Sequence, residues 1–354
     1  MPNDSDYRGV KKEIAMKIGV IGATGMIGHH TALAAQKQGY ELVIIHRKSS
    51  NLSTINDLNF TSAIADLNNP DSLVKALINL DAVINCAAYY PTKPAPWKAE
   101  VKKAIAQMEN FFAACTEVNL EKIVYLGGAI ALPKHPEGLP GNEELIYPSQ
   151  PIDKTPYLQV KWALDKLARE KAQEGLPVVI GIPSMCFGEF DYVPTTGKLI
   201  VDIANQKLPG YIRGDRNVIY AGDAGRGLLL ACEKGRVGER YLFTGTNISM
   251  DDLVKRIAGI ANVTPPKRII PLPVARFVSQ AQELKFKLLG GEVPQLSSTA
   301  IAVLALGQFL DGSKAQNELG FKTNLDLNQT IKRTIDWFRS IGYVSSPEQV
   351  KSHL

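Results

Sequence analysis

Residues 16–45 read MKIGVIGATGMIGHHTALAAQKQGYELVII. A short apolar run, MKIGVIG, meets a turn with glycines at 22, 25 and 28, and a helix-like stretch from Met26 to Gln38 follows before Gly39 stops it. A second apolar run from Glu41 to Ile45 completes a strand, glycine-rich turn, helix and strand unit. Glycine lets the backbone turn tightly and approach a phosphate, while the helix N-terminus offers unpaired N–H groups and the positive end of its dipole. Gly22, Thr24, Gly25, Met26 and Ile27 are therefore candidate contacts for a dinucleotide pyrophosphate.

The same rhythm runs outward along the chain. The strand-like runs TSAIADL, DAVINCAA, KIVYLGG and LPVVIGIP alternate with helical stretches over Pro70 to Leu80, Lys98 to Thr116, and through Lys161 and Arg169. This predicts an α/β Rossmann fold, a doubly wound parallel sheet, with a smaller, mostly helical C-terminal substrate-binding part. The expected division is a loose tail over 1–14, a dinucleotide-binding domain from 15–182 with 217–246, and a substrate-binding part from 183–216 with 247–345.

With 354 residues, 45% apolar and 21% charged, the chain can bury a large core and shows no bias toward disorder. The net charge of +5 is scattered rather than gathered into a basic stripe, which excludes nucleic acid as an expected partner and leaves a small-molecule substrate. No apolar run reaches membrane-spanning length, so no stable membrane insertion is expected. Cys86, Cys115, Cys186 and Cys232 lack CxxC spacing, so no metal is expected, and reduced thiols point to a cytoplasmic protein with room for a homodimer. His29 and His30 read as helix-surface or packing residues without metal-ligand partners. The amphipathic stretch PLPVARFVSQAQELKFKLLG reads as ordinary core packing, with a lipid surface or lipophilic substrate as the alternative.

Cofactor choice is usually made at the end of the second strand, where an acid would accept bonds from the adenosine ribose. Here the segment is His46, Arg47, Lys48, Ser49, Ser50. Arg47 and Lys48 are suited to a 2′-phosphate, which favours NADP(H) over NAD(H). Further on, Tyr157 and Lys161 stand four apart in TPYLQVKWALDKLA and project from one helix face. A tyrosine titrates near 10, and a neighbouring ammonium favours its phenolate, so the pair can exchange a proton with a substrate oxygen while a nicotinamide exchanges a hydride.

The glycine loop and this YxxxK pair, together with ADLNNPDSL, DAVINCAA, NVIYAGDAGRGLLLA and DGSKAQNELGF, resemble the extended short-chain dehydrogenase/reductase family over nearly the whole chain. The resemblance implies that Tyr157 is the catalytic acid/base and that Lys161 tunes it and binds the nicotinamide ribose. It also implies that Asp66 and Leu67 lie against the adenine, and that Ala87, Ala88, Pro183 and Met185 border the cofactor. GERYLFTGTNISMDDL looks most like the dihydroflavonol-reductase-like branch, whereas Arg216 stands where nucleotide-sugar epimerases carry an arginine on the diphosphate. A carbonyl reductase and an epimerase or dehydratase both remain open.

One position departs from the family. After the strand in the segment KIVYLGGAIALP a serine or threonine normally hydrogen-bonds the substrate oxygen, and Gly128 stands there instead. Losing such a donor costs roughly 2.7–4 kcal/mol of barrier. Ser184, Tyr89, Tyr90 or the backbone beside Gly128 are the candidate replacements; the other readings are added room for substrate, altered chemistry, or a dinucleotide-binding sensor without turnover.

Overall fold

The computed structural model of the protein describes residues 16–87, 89–91, 95–290 and 298–345. The tail over 1–14 and Ala88 lie outside the described residues. The chain lays down β1 (Lys17–Ile21), α1 (Met26–Lys37), β2 (Glu41–His46), β3 (Thr61–Ile64), α2 (Pro70–Leu77), β4 (Ala82–Asn85), α3 (Trp97–Glu117), β5 (Lys122–Leu126), α4 (Pro156–Gln173) and β6 (Val178–Pro183). It continues through β7 (Met185–Phe187), α5 (Lys198–Ala204), β8 (Asp215–Tyr220), α6 (Ala221–Lys234), β9 (Arg240–Phe243), β10 (Thr246–Ser249) and α7 (Met250–Ala261). The last elements are α8 (Leu272–Leu289), α9 (Ser298–Ala305), α10 (Ser313–Leu319) and α11 (Leu327–Ser340).

Seven strands form one parallel sheet in the order β3-β2-β1-β4-β5-β6-β9. Strand order reverses beside β1, whose neighbours are β2 and β4, and such a switch opens a crevice at the C-terminal strand ends. Both faces of the sheet are covered, which is why its strands read as continuous apolar runs rather than alternating ones. On one face Ile18, Val20, Ile44 and Val124 pack with Ala32 and Ala35 of α1 and Leu228 of α6. On the other, Ile21, Val43, Ile123 and Tyr125 pack with Leu73 of α2, Phe111 and Phe112 of α3, and Leu164 of α4.

β8, which opens the 217–246 segment, belongs to a separate three-stranded sheet. It pairs antiparallel with β10 and parallel with β7. Phe187, Val218 and Ile248 of this sheet share a core with Ile200, Leu253, Ile257, Ile331 and Phe338 from α5, α7 and α11. A single residue, Ser184, separates β6 of the large sheet from β7 of the small one.

The stretch 271–290 does form a helix, α8, yet it is not ordinary core packing. Phe277 is 73% exposed and Leu288 74%, because the helix packs through Leu272, Ala275, Ser279, Glu283 and Phe286 and leaves those side chains outside.

His29 and His30 are packing residues, both buried. Phe190, held at φ 69°, stacks on His29 with ring centroids 3.6 Å apart. His29 Nε2 lies 2.9 Å from Asp57. His30 faces Glu189 at 3.8 Å, and Glu189 is in turn bonded by Tyr220 and paired with Arg333. Burial, opposed by Glu189 and aided by His29 and Arg333, lowers the His30 imidazole to about 4. A histidine depressed in the folded state binds fewer protons there than when unfolded, so its stability contribution is full above about pH 6.5 and is lost as pH falls toward 4. Unfolding free energy should therefore drop by about 2 kcal/mol between pH 7.5 and 5 on this account. Urea titrations of the native chain and His30→Gln at both pH values check it; equal pH slopes in the two would exclude His30 as the cause.

Candidate active site

The C-terminal ends of β1, β4, β5 and β6 lie side by side along one edge of the parallel sheet, and the candidate residues follow them. At β1, Gly22 takes φ +85°, a conformation costly for residues with a Cβ, and its amide partner across the turn is Gly25, whose N–H donates to Gly22 O at 3.1 Å. A Cβ on Gly28 would stand 2.2 Å from Gly22 O, so only glycine allows α1 to pack this closely on the loop. At Gly25 the surroundings are open, with Gly22 O at 3.5 Å the nearest atom to an added Cβ. No side chain caps α1. Its first N–H groups, at Met26 and Ile27, therefore face this opening without an intrahelical partner, and the cradle fits a pyrophosphate.

β4 sets the neighbouring wall. Asn85 is fully buried within an otherwise apolar strand; its Oδ1 accepts from Ala87 N at 3.0 Å and its Nδ2 reaches Met108 Sδ at 3.8 Å. Ala87 is thereby held against Gly22, 3.0 Å from where a Cβ there would sit. The polar Asn in DAVINCAA was a readable signal that the reading of motifs missed. At the end of β3, Asp66 Oδ1 accepts from both the N–H and the amide of Asn68, at 2.8 and 2.7 Å, and Leu67 O accepts from Asn110 at 2.9 Å. Arg47 and Lys48 follow β2 with exposed side chains that make no hydrogen bond or ion pair among the described residues. The His46 ring fixes that loop through Arg47 O at 2.9 Å and Ser62 Oγ at 2.6 Å.

Tyr157 and Lys161 occupy the first turns of α4, which starts on Pro156. Lys161 is 7% exposed, its Nζ lies 5.9 Å from the Tyr157 ring centre, and no carboxylate bonds it among the described residues. Burial alone lowers it to about 8. The Tyr157 phenol moves the other way from the sequence expectation: burial raises it above its ordinary value, with Tyr90 and Cys186 adding to the shift. Desolvation penalises both charged forms here, and the ammonium at this distance does not offset it.

The remaining candidates separate. Tyr90 tilts against Tyr157 with centroids 4.8 Å apart, whereas Tyr89 turns to α3, donating to Glu100 at 2.8 Å beneath Lys103. Gly128, two residues past β5, has room to spare: the nearest atoms to an added Cβ would be Lys161 side-chain carbons, at 3.5–3.7 Å. Pro183 closes β6, Ser184 follows at 7% exposure, and its hydroxyl is buried without a hydrogen-bond partner among the described residues. Met185 opens β7, half-buried. Arg216 lies apart from this group. It is buried in β8, donating to Asp215 O at 2.5 Å and Leu304 O at 2.8 Å, and burial lowers it to about 10.

Helix α4 is anchored from behind. Asp165, one turn beyond Lys161, accepts from Arg169 at 3.0 Å and pairs with Arg240 of β9 at 3.4 Å. Arg240 also reaches the Glu143 and Leu145 carbonyls, and the Glu143 carboxylate accepts from Leu242 N at 2.6 Å. The loop leading into α4 is thus tied to the sheet edge.

The fold and this loop have relatives. A family model described as the NAD dependent epimerase/dehydratase family matches residues 18–243. A crystal structure of a nucleoside-diphosphate-sugar epimerase from Pseudomonas aeruginosa is 43% identical, with a TM-score of 0.81, covering 93% of this chain and 99% of that one. A Synechocystis protein provisionally named dihydroflavonol 4-reductase is 27% identical over 334 residues, 92% of this chain and 96% of its own. Sterol demethylase protein B of Methylococcus capsulatus is 22% identical over 92% of this chain and 99% of its own. With a matching model across most of its length and a 43% identical structure along nearly all of it, the chain belongs to the NAD dependent epimerase/dehydratase family and is an enzyme of the extended short-chain dehydrogenase/reductase superfamily.

Proposed function

We propose that the protein is an NADP(H)-dependent oxidoreductase that interconverts a carbonyl and a secondary alcohol on a small organic substrate. The observation that carries the reading is the pair of half-buried Tyr157 and buried Lys161 in the first turns of α4, with Lys161 Nζ 5.9 Å from the Tyr157 ring centre. A bound nicotinamide dinucleotide supplies or accepts the hydride. The upward shift of Tyr157 keeps its proton in place at neutral pH, so the residue begins the reductive direction as a competent acid and donates that proton to the carbonyl oxygen. Ser184, whose hydroxyl has no partner among the described residues, donates the second hydrogen bond to that oxygen in the role Gly128 cannot fill. Tyr90 covers the substrate side of Tyr157, and Lys161 holds the nicotinamide ribose.

NADP(H) is proposed from Arg47 and Lys48 after β2, exposed and without a side-chain partner among the described residues. A charge-assisted bond of this kind contributes about 1.5–3 kcal/mol. Arg47→Ala should therefore raise KM for NADPH about 10–100-fold and leave KM for NADH unchanged. Steady-state kinetics with both cofactors and a panel of ketones and aldehydes decide the matter; a native preference for NADH, indifferent to Arg47→Ala, overturns it.

A second reading, nucleotide-sugar epimerisation, is supported by the 43% identical epimerase. It predicts a cofactor retained through purification and turnover without net NADPH consumption. Stoichiometric NADPH oxidation by a carbonyl substrate excludes it.

A further inference from the structure

Helix α8 is built inside out. Its inward face consists of Leu272, Ala275, Ser279, Glu283 and Phe286, and packs against α9 and Ile212. Ser279 is 1% exposed and its hydroxyl has no partner among the described residues. The outward face carries the larger apolar side chains: Val274, Phe277, Val278, Leu284, Leu288 and Leu289 are all exposed. Val274, Phe277, Ala281, Leu284 and Leu288 recur at alternating spacings of three and four, which aligns them in one stripe along the helix. Single exposed leucines need no explanation, but a continuous apolar stripe along a helix of about 27 Å does.

We propose that this face of α8 docks the enzyme on an anionic lipid surface, the helix lying in the plane of the interface. The argument for that occupant is charge. Between 267 and 290 the sequence has five basic residues and one acidic residue. Lys267, Arg268, Arg276 and Lys285 are exposed, while Glu283, the one acid, is on the inward face. An apolar stripe flanked by lysine and arginine matches anionic headgroups above an acyl boundary. A second copy seated symmetrically on the same stripe would instead set these cations against their own counterparts. No helix among the described residues is long and apolar enough to cross a membrane, so the contact is peripheral. α8 packs on α9, and α9 packs on the catalytic helix α4, so a docked molecule holds its substrate side next to the lipid.

The test is flotation of the full chain with vesicles of phosphatidylglycerol and phosphatidylcholine, against vesicles of phosphatidylcholine alone. Binding is expected to the anionic vesicles only, and to weaken as salt rises toward about 0.5 M. The double variant Phe277→Ser, Leu284→Ser should lower the vesicle partition constant about 100-fold, about tenfold per side chain, with an unchanged melting temperature and unchanged turnover in vesicle-free buffer. Failure of the native chain to float with anionic vesicles overturns the proposal, as does equal flotation of the double variant. A dimer seen by sedimentation velocity without lipid, and dissociated by the same double variant, would give the face to a second copy and also overturn it.

Discussion

Tyr157→Phe is expected to lower kcat by about 10²–10⁴ while dinucleotide affinity and thermal stability hold. Three observations set this combination. The ring contacts that place the residue, with Tyr90 at 4.8 Å and Lys161 Nζ at 5.9 Å, survive loss of the hydroxyl. That hydroxyl makes no hydrogen bond among the described residues, so removing it orphans no partner. And the glycine cradle that would bind the pyrophosphate is formed by backbone of β1 and α1, without help from α4. Isothermal titration with NADPH and steady-state reduction of a carbonyl substrate separate binding from turnover. Native-like kcat in the variant would remove Tyr157 from the chemistry. The pH profile carries a companion signature. The phenol is pushed up by burial, so it stays protonated and does not limit reduction as pH rises toward 9; Lys161, lowered to about 8, loses its charge within that range. Reductive kcat should therefore decline as pH rises through about 8, with a single inflection.

Ser184→Ala should cost about 10²–10³ in kcat without lowering the melting temperature. A buried hydroxyl with no partner is destabilising to the folded chain, since it has left water and gained no bond. Alanine removes that penalty. A serine kept only for packing would tolerate alanine in both stability and rate. A serine that donates to the substrate oxygen loses rate alone, and Ser184→Thr, which keeps the hydroxyl, should recover part of it. Loss of stability and rate together in Ser184→Ala would refute the assignment. Gly128→Ser is the complementary change, and the ordinary 3.5–3.7 Å surroundings of its Cβ predict that it folds.

The parallel sheet was legible because a strand buried on both faces must be apolar along its buried length, as IGVI, LVII, AVI and VVIGIP are within β1, β2, β4 and β6. The glycine cradle was legible for a steric reason: Gly22 and Gly28 stand where a Cβ would force φ strain or strike backbone. The Tyr157–Lys161 pair showed through the spacing of a helix face. The small sheet did not show. β7 has three residues and β10 has four, too short for a period to emerge, and a helix separates each of them from their partner β8 along the chain, α5 on one side and α6 on the other. The direction of the Tyr157 shift was also out of reach, because proximity to Lys161 can be counted along a helix whereas desolvation depends on what the fold stacks above both groups. The inverted α8 escaped for a related reason: amphipathicity says that a helix has two faces, but not which one the rest of the molecule meets.

The one-residue passage from β6 to β7 has a mechanical consequence. Two sheets joined by so short a connection can swivel against each other only about an axis close to that joint, and points near an axis travel least. Ser184 is the joint. A hydrogen-bond donor placed there would keep its aim under any such rotation. A hydroxyl on a long loop such as the one that follows Gly128 would be carried along with the swing.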